Sequence, residues 1–105
     1  MLKQRSAIVT GSTSGIGLGI ARAFAEQGAD VMLNGFGDPQ EIEFTRAELQ
    51  RQFGVKVRYS NADMSQPAQI RALAEMARAE FGKVDIIVNN AGIQHVAPID
   101  TFQIP

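Results

Sequence analysis

The 105-residue sequence has no cysteine and no tryptophan, and only one histidine and one tyrosine. Without cysteine the chain has no disulfide, no thiolate nucleophile and no cysteine-ligated metal site. His95 alone is too few ligands to anchor a metal, so we expect no metal site and assign this residue no role. A cytoplasmic protein fits this composition best, because disulfide frameworks are typical of exported domains.

The sequence also lacks an excess of charge of one sign and a long apolar run. Ten basic and eleven acidic side chains give a net charge of -1, and both signs are scattered along the chain. Such a balance provides no field that attracts nucleic acid or an anionic membrane surface. The N-terminal apolar stretch is too short for a signal peptide or a membrane span. We therefore expect no nucleic-acid partner and no membrane partner.

What the sequence does contain is an alternation of short apolar runs with longer segments of helical periodicity. It predicts strands over residues 6–10, 31–34, 55–60 and 84–89. Alternating βαβ units with right-handed crossovers give a parallel sheet of order 3-2-1-4, which is a Rossmann-type three-layer α/β fold. Residues 86–88 are apolar without alternation and are expected to be buried on both faces. The fold is expected to be incomplete, because the fourth strand would remain an apolar edge.

The three predicted helices have start and stop residues in the expected order. The second helix begins with Asp38 as N-cap, Pro39 in its first turn and Glu41 as the capping-box acid. Ser65 is the predicted N-cap of the third helix, just before Pro67. Glycines follow the last turns, namely Gly28, Gly54 and Gly82. The faces predicted to be buried are Ile16, Ile20, Ala21 and Phe24, then Ile42, Leu49 and Phe53, then Ile70, Leu73, Ala74, Ala77 and Phe81.

A glycine-rich loop connects the first strand to the first helix, and it reads Thr10-Gly11-Ser12-Thr13-Ser14-Gly15-Ile16-Gly17. Gly11 allows a tight turn, Gly15 lets the backbone approach a pyrophosphate, and Gly17 permits close packing of the helix. The N–H groups at the helix N-terminus would then bind phosphates. Three hydroxyls are candidate further donors, those of Ser12, Thr13 and Ser14. The alternative is an ordinary strand-to-helix turn, and the absence of Gly-Lys-Ser/Thr argues against a P-loop NTPase.

This loop resembles the Thr-Gly-x-x-x-Gly-x-Gly loop of the short-chain dehydrogenases, and residues 89–92 resemble that family's Asn-Asn-Ala-Gly element. The resemblance implies an oxidoreductase that binds a nicotinamide dinucleotide. The cofactor-binding residues it implies are Gly11, Thr13, Ser14, Gly15, Ile16, Gly17, Phe36, Asp63, Met64, Asn90, Ala91 and Gly92. Asn89 is assigned to sheet architecture, and Asp63 to the adenine amino group. The alternatives are a loop acid that helps to initiate the third helix for Asp63, and packing beneath the second helix for Phe36.

The choice between NAD and NADP depends on the segment after the second strand. Family members that use NAD often have an acid there for the ribose 2′-hydroxyl, whereas NADP users have a nearby cation. Here residues 34–37 read Asn-Gly-Phe-Gly, the first acid is Asp38, and Ser14 takes the place of a basic residue. With no cation to pair with a 2′-phosphate, NAD is preferred by exclusion.

Residues 10–20, 27–38 and 88–95 resemble one subgroup of the family, the bacterial D-3-hydroxybutyrate dehydrogenases. The resemblance implies that the intact enzyme is a homotetramer that oxidises 3-hydroxybutyrate to acetoacetate. It also implies that Gln94 binds the substrate carboxylate, although a polar loop residue is the alternative. Two other functions remain open: a different short-chain reductase, such as a 3-oxoacyl-carrier-protein reductase, and a non-catalytic dinucleotide-binding module.

The residues that perform catalysis in the family have no counterpart in this sequence. The family uses a Tyr-x-x-x-Lys pair together with a serine, but the only tyrosine, Tyr59, is followed four residues later by Asp63. General acid-base catalysis and electrostatic stabilisation each contribute roughly 10²-fold or more to rate. We therefore assign no catalytic residue, and we expect residues 1–105 to be the N-terminal, NAD-binding part of one Rossmann domain, inactive without its catalytic part.

Overall fold

The computed structural model describes residues 1–90. Along them, four strands alternate with three helices: β1 (Ser6–Val9), α1 (Gly15–Glu26), β2 (Asp30–Asn34), α2 (Pro39–Phe53), β3 (Val57–Ser60), α3 (Pro67–Phe81) and β4 (Ile86–Val88). The strands pair in parallel in the order β3-β2-β1-β4. The predicted α/β topology and strand order are confirmed, with β3 beginning two residues later than predicted.

Helices cover both faces of the sheet, so the fold has three layers. Side chains that alternate along the strands divide between two apolar clusters. On one face Ala21 and Ala25 of α1 and Leu49 of α2 pack with Val9, Val31, Leu33 and Val57. On the other face Leu73 and Ala77 of α3 pack with Ile8 and Met32. Among residues 1–90, no helix is long and apolar enough to cross a membrane.

The outermost strand β4 is shorter and more exposed than the sequence predicts. It spans Ile86–Val88, and in the described part of the chain it pairs with β1 alone. Ile87 is 57% exposed. It pairs with Ile8 and so lies on the α3 side of the sheet, where α3 covers the central strands. The expectation that residues 86–88 are buried on both faces is therefore wrong for this structure. Within residues 1–90, β4 is an edge strand, and the faces of an edge strand are buried only where a neighbouring strand or helix covers them.

Two isoleucines assigned to buried helix faces are exposed, Ile16 at 72% and Ile70 at 39%. Each lies in the first turn of its helix, beside the carboxyl edge of the sheet. Neither belongs to the two apolar clusters of the described residues. The helical spacing identified the correct face in the later turns, since Ala21, Leu73 and Ala77 are buried.

The helix starts show one confirmed prediction and one error. Asp38 caps α2 as predicted, accepting a hydrogen bond from the Glu41 N–H at 3.2 Å. At α3 the N-cap residue is Gln66 and not Ser65. Ser65 instead donates its N–H and its hydroxyl to Asp63 Oδ1, at 2.9 and 2.8 Å. The serine is thus held in a short turn before the helix by an acid two residues earlier.

The backbone of edge strand β3 is covered by polar side chains of α2. The Val57 N–H donates to Gln50 Oε1 at 3.0 Å, and the Val57 carbonyl accepts from Arg46 Nη1 at 2.9 Å. An exposed edge strand with free backbone groups is a template for pairing with another chain. These two side chains occupy such groups at the first residue of β3 and so oppose that pairing.

Candidate functional site

Because all four strands are parallel, the segments that follow them meet at one edge of the sheet. These segments are residues 10–17 after β1, 34–38 after β2, 61–64 after β3 and 89–90 after β4. They contain the predicted residues Gly11, Thr13, Ser14, Gly15, Ile16, Gly17, Phe36, Asp63, Met64 and Asn90. The predicted residues Ala91, Gly92 and Gln94, together with His95, lie outside the described residues.

The start of α1 offers backbone donors to a ligand. The Ser12 N–H donates to the Asn34 carbonyl at 2.7 Å, and the Leu18 N–H makes the first helical bond, to the Ser14 carbonyl at 3.2 Å. Between these two positions, the N–H groups of residues 13–17 have no acceptor within residues 1–90. Free N–H groups at a helix N-terminus, together with the helix dipole, favour an anion. The loop therefore has the donors that a diphosphate requires.

The sequence predicted that all three hydroxyls of this loop are candidate donors to a phosphate, but two of them bond to backbone carbonyls of the protein. The Ser12 hydroxyl is buried and donates to the Val9 carbonyl at 2.7 Å, so it is not a phosphate donor in this structure. The Thr13 hydroxyl donates to the Phe36 carbonyl at 2.9 Å. Ser14, the N-cap residue of α1, is exposed and makes no side-chain capping bond. Of the three hydroxyls, that of Ser14 is the one left for a ligand.

The loop segment with the free N–H groups of residues 13–17 is called the cradle below. Beneath it lies a close contact that only a glycine at position 17 permits. A Cβ added to Gly17 would lie 2.0 Å from the Gly11 carbonyl oxygen and 2.5 Å from Asn90 Nδ2. The buried Asn90 amide donates to that same Gly11 oxygen at 3.0 Å. Beside it, the Thr10 hydroxyl donates to Asn89 Oδ1 at 3.1 Å. The paired asparagines after β4 are therefore bonded directly to the glycine loop after β1.

Asn34, at the end of β2, is a site residue that the sequence reasoning missed. Its buried side-chain amide donates to the Ser60 carbonyl at 3.1 Å and to the Ala62 carbonyl at 3.0 Å. Asn34 thereby joins the segment after β2 to the segment after β3. The available signal was a polar amide as the last residue of an apolar strand, since a buried amide requires partners for both of its N–H groups.

The next residues form a turn in which Gly35 is buried and Phe36 and Gly37 are exposed. Phe36 is 67% exposed, which disagrees with the alternative that it packs beneath the second helix. The Gly35 carbonyl accepts a hydrogen bond from the Tyr59 hydroxyl, and burial raises the pKa of that hydroxyl above its ordinary value of 10.0. Tyr59 is thus a sheet residue, as expected, and it supports the turn from below.

Asp63 lies after β3 on the same edge. The bonds from the Ser65 N–H and hydroxyl to Oδ1 hold the pKa of the Asp63 carboxyl below its ordinary value of 3.8. Its other carboxylate oxygen makes no hydrogen bond within residues 1–90. Met64 is half-buried and packs on the cluster beneath α3. An ionised acceptor is therefore present next to an apolar residue, while the alternative role of Asp63 in the turn before α3 is also observed.

The four segments at this edge of the sheet provide no positively charged side chain. None of residues 10–17, 34–38, 61–64 and 89–90 is lysine or arginine. An additional phosphate on a ribose would find no cation from these segments to pair with. In the part of the chain that the structure describes, no group of three His, Cys, Asp or Glu side chains is arranged to hold a metal ion.

Comparison with known proteins agrees with this arrangement. Residues 5–104 match the family described as short chain dehydrogenase. A D-beta-hydroxybutyrate dehydrogenase from Cupriavidus necator is 53% identical over 103 residues, which are 97% of this chain and 39% of that protein. Another from Rhizobium meliloti is 45% identical over 100 residues, covering 95% of this chain and 39% of that protein. The chain thus spans about two fifths of the length of these relatives.

A solved structure shows the same fold with a nucleotide. L-sorbose reductase from Gluconobacter frateurii, in a crystal structure with NADPH and L-sorbose, superposes with a TM-score of 0.76 and 36% identity. The superposition covers 84% of this chain and 33% of that one. The family match over nearly the whole length, the parallel sheet and the glycine loop lead to the same conclusion: this chain belongs to the short-chain dehydrogenase family of oxidoreductases.

Proposed function

We propose that this chain is the dinucleotide-binding part of an oxidoreductase that uses NAD. The observation that carries the proposal is the run of N–H groups at residues 13–17, which have no acceptor within residues 1–90 and stand at the positive end of α1. The contact of Gly17 with Gly11 and Asn90 gives this cradle a fixed floor. A diphosphate fits a site of this kind, since it accepts several hydrogen bonds and carries negative charge.

In this proposal, the residues at the edge divide between the parts of the cofactor. Backbone groups of Gly11, Thr13, Ser14, Gly15, Ile16 and Gly17 surround the diphosphate. Phe36 lies along the adenosine, and Asp63 and Met64 hold the adenine. Asn90, Ala91 and Gly92 line the ribose and nicotinamide side. NAD held by these residues would supply a hydride acceptor for the substrate carbinol, and the chain would orient it.

NAD is preferred over NADP on electrostatic grounds. The turn that would meet the adenosine ribose has no cation, and it continues into the exposed carboxylates of Asp38 and Glu41. A 2′-phosphate brought to this turn would stay unpaired next to negative charge, which costs free energy. The NADPH in the L-sorbose reductase structure is bound by a relative with the same fold, so the fold alone does not exclude NADP.

The substrate proposed for the longer protein is 3-hydroxybutyrate, oxidised to acetoacetate. Its support is the name shared by the two relatives at 53% and 45% identity. Gln94 is then the residue that binds the substrate carboxylate, and the enzyme is a cytoplasmic homotetramer. The sequence of this chain contains no Tyr-x-x-x-Lys pair, so we propose that residues 1–105 bind the cofactor without turning over.

Calorimetric titration of the 105-residue chain with NADH and with NADPH tests the proposal. We expect saturable binding of NADH, and binding of NADPH at least about tenfold weaker, which corresponds to about 1.4 kcal/mol. Absence of NADH binding would contradict the cofactor site, and tighter NADPH binding would contradict the preference for NAD. For the substrate, the full-length protein is assayed with 3-hydroxybutyrate and with larger secondary alcohols; faster oxidation of the larger alcohols would indicate another reductase of the family.

A further inference from the structure

Within residues 1–90, the Thr13 side chain attaches the turn of residues 35–38, between β2 and α2, to the glycine loop. The Thr13 hydroxyl donates to the Phe36 carbonyl at 2.9 Å. A Cβ added to Gly35 would lie 2.9 Å from Thr13 Oγ1 and 3.2 Å from Thr13 Cγ2. The threonine therefore rests directly on the glycine, and any larger residue at position 35 would push it away. Thr13 thus occupies the junction between the loop after β1 and the turn after β2.

Apart from Thr13, the turn is held at its start by the Tyr59 hydroxyl, which donates to the Gly35 carbonyl. Gly35 and Gly37 have φ values of 145° and 154°, which other residues rarely adopt, so the segment on either side of Phe36 has few conformational restraints of its own. The Phe36 side chain is exposed and belongs to neither apolar cluster of residues 1–90. Tyr59 fixes the carbonyl at the start of the turn, and Thr13 fixes the carbonyl at its centre.

Thr13 consequently presents its two donors in two directions. Its N–H belongs to the run of amides without an acceptor within residues 1–90, and its hydroxyl is bonded to the turn. One residue thereby fixes the distance between the cradle for a diphosphate and the peptide of Phe36. In a bound dinucleotide the diphosphate and the adenosine ribose are covalently adjacent. The distance between the cradle and the Phe36 peptide therefore determines whether the chain can contact the diphosphate and the ribose at the same time.

We propose that Thr13 is a positioning residue whose hydroxyl holds the turn at Phe36 against the adenosine ribose and thereby increases the preference for NAD over NADP. The inference rests on the proposed function, and it adds a residue that acts through Phe36 and not through its own side-chain contact with the cofactor. While the turn is held in place, a 2′-phosphate meets a fixed, cation-free backbone. Once the turn is released, two glycines allow it to move aside, and the additional phosphate gains access to solvent.

The test compares two substitutions in the 105-residue chain. Thr13→Val keeps the shape but removes the hydroxyl, and Thr13→Ser keeps the hydroxyl. We expect Thr13→Val to weaken NADH binding about fivefold, the size typical of one hydrogen bond between neutral groups. We expect NADPH binding to weaken less, so that the ratio of the two dissociation constants falls. Thr13→Ser is expected to stay within about twofold of the unaltered chain in both measurements.

The ratio separates positioning from a general loss of structure, because partial unfolding weakens both nucleotides by the same factor. An unchanged ratio in Thr13→Val, or an equal change in Thr13→Ser, overturns the inference. If Thr13→Val loses its circular dichroism spectrum, Thr13→Ala removes the hydroxyl without placing a methyl group against the carbonyl and gives the same comparison. Failure of the unaltered chain to bind NADH overturns the proposed function and this inference with it, whereas normal NADH binding with an unchanged ratio overturns the inference alone.

Discussion

Substitution of Gly17 by alanine tests the close contact beneath the phosphate cradle. The added Cβ would lie 2.0 Å from the Gly11 carbonyl oxygen, whereas ordinary contact begins near 3.4 Å. The carbonyl or the helix must therefore shift by roughly 1.4 Å, because a backbone oxygen has no rotamer through which to escape. The same shift disturbs the hydrogen bond from Asn90 to Gly11, which measures 3.0 Å.

The magnitude combines two destabilising contributions and one stabilising contribution. Overpacking at a rigid contact costs about 1–3 kcal/mol, and the disturbed hydrogen bond adds about 0.5–1.5 kcal/mol. Alanine regains up to about 1 kcal/mol through its higher helix propensity. We expect Gly17→Ala to lower the free energy of unfolding by about 0.5–3.5 kcal/mol. We also expect NADH binding to weaken by roughly tenfold or more, because hydrogen bonds from a displaced cradle lose their geometry.

Gly19 provides the matched control on the same helix. A Cβ at Gly19 meets no atom within 4 Å, so Gly19→Ala should stabilise the chain by about 0.5–1 kcal/mol and leave NADH binding unchanged. Urea unfolding followed by circular dichroism gives the stability, and calorimetry gives the affinity. If Gly17→Ala proves as stable as Gly19→Ala, or binds NADH equally well, the close contact does not determine the cradle and the reasoning fails.

Three further predictions concern the adenine contact, the sheet edge and acid stability. Asp63→Asn should weaken NADH binding about threefold to tenfold and leave nicotinamide mononucleotide binding unchanged, since that ligand lacks adenine; equal NADH affinity in calorimetry would contradict the adenine contact. Gln50→Ala should cost about 1–2 kcal/mol in urea unfolding and promote association in light scattering, because it frees the Val57 N–H; a monomer of unchanged stability would refute this. The Ser6 N–H, bonded at 2.9 Å, and nearby cations lower the pKa of the Asp85 carboxyl below 3.8, so its contribution to stability is complete above that pH and lost as pH falls through the folded-state pKa. The difference in unfolding free energy between the unaltered chain and Asp85→Asn should therefore shrink on acidification, and a constant difference would disprove the assignment.

The elements of the fold were predictable where the signal is local. Asp38 and Pro39 mark the start of α2 because a side-chain acceptor and a fixed φ act within a single turn. The strand order follows from the handedness of crossovers, which holds for nearly all parallel units. The exposure of Ile16 and Ile87 was not predictable in this way. A helical or strand period identifies a face, but the extent of the neighbouring layer decides whether that face is covered.

Some features of the site also follow from local sequence, whereas others depend on segments that are distant along the chain. The position of the free amides follows from where a glycine-rich turn opens a helix, so the sequence alone locates it. The partners that come from distant segments do not follow, because the Phe36 carbonyl that accepts from the Thr13 hydroxyl lies 23 residues away and the Asn34 carbonyl that accepts from the Ser12 N–H lies 22 residues away. Such bonds depend on the register of β1 against β2. Ser12 was expected to face a ligand, and the structure instead buries it, with its hydroxyl bonded to the Val9 carbonyl three residues earlier.

The hydrogen bonds across this edge explain why the cradle is formed within residues 1–90. Asn34 bonds to Ala62, Ser12 bonds to Asn34, and Asn90 bonds to Gly11, so each of the four segments after the strands is joined to at least one other. A site whose donors are already fixed by their neighbours loses little conformational entropy when a ligand binds. The positions of the amides are thus determined by the sheet and its buried polar bonds, and the dinucleotide is expected to bind to a geometry that exists before it arrives.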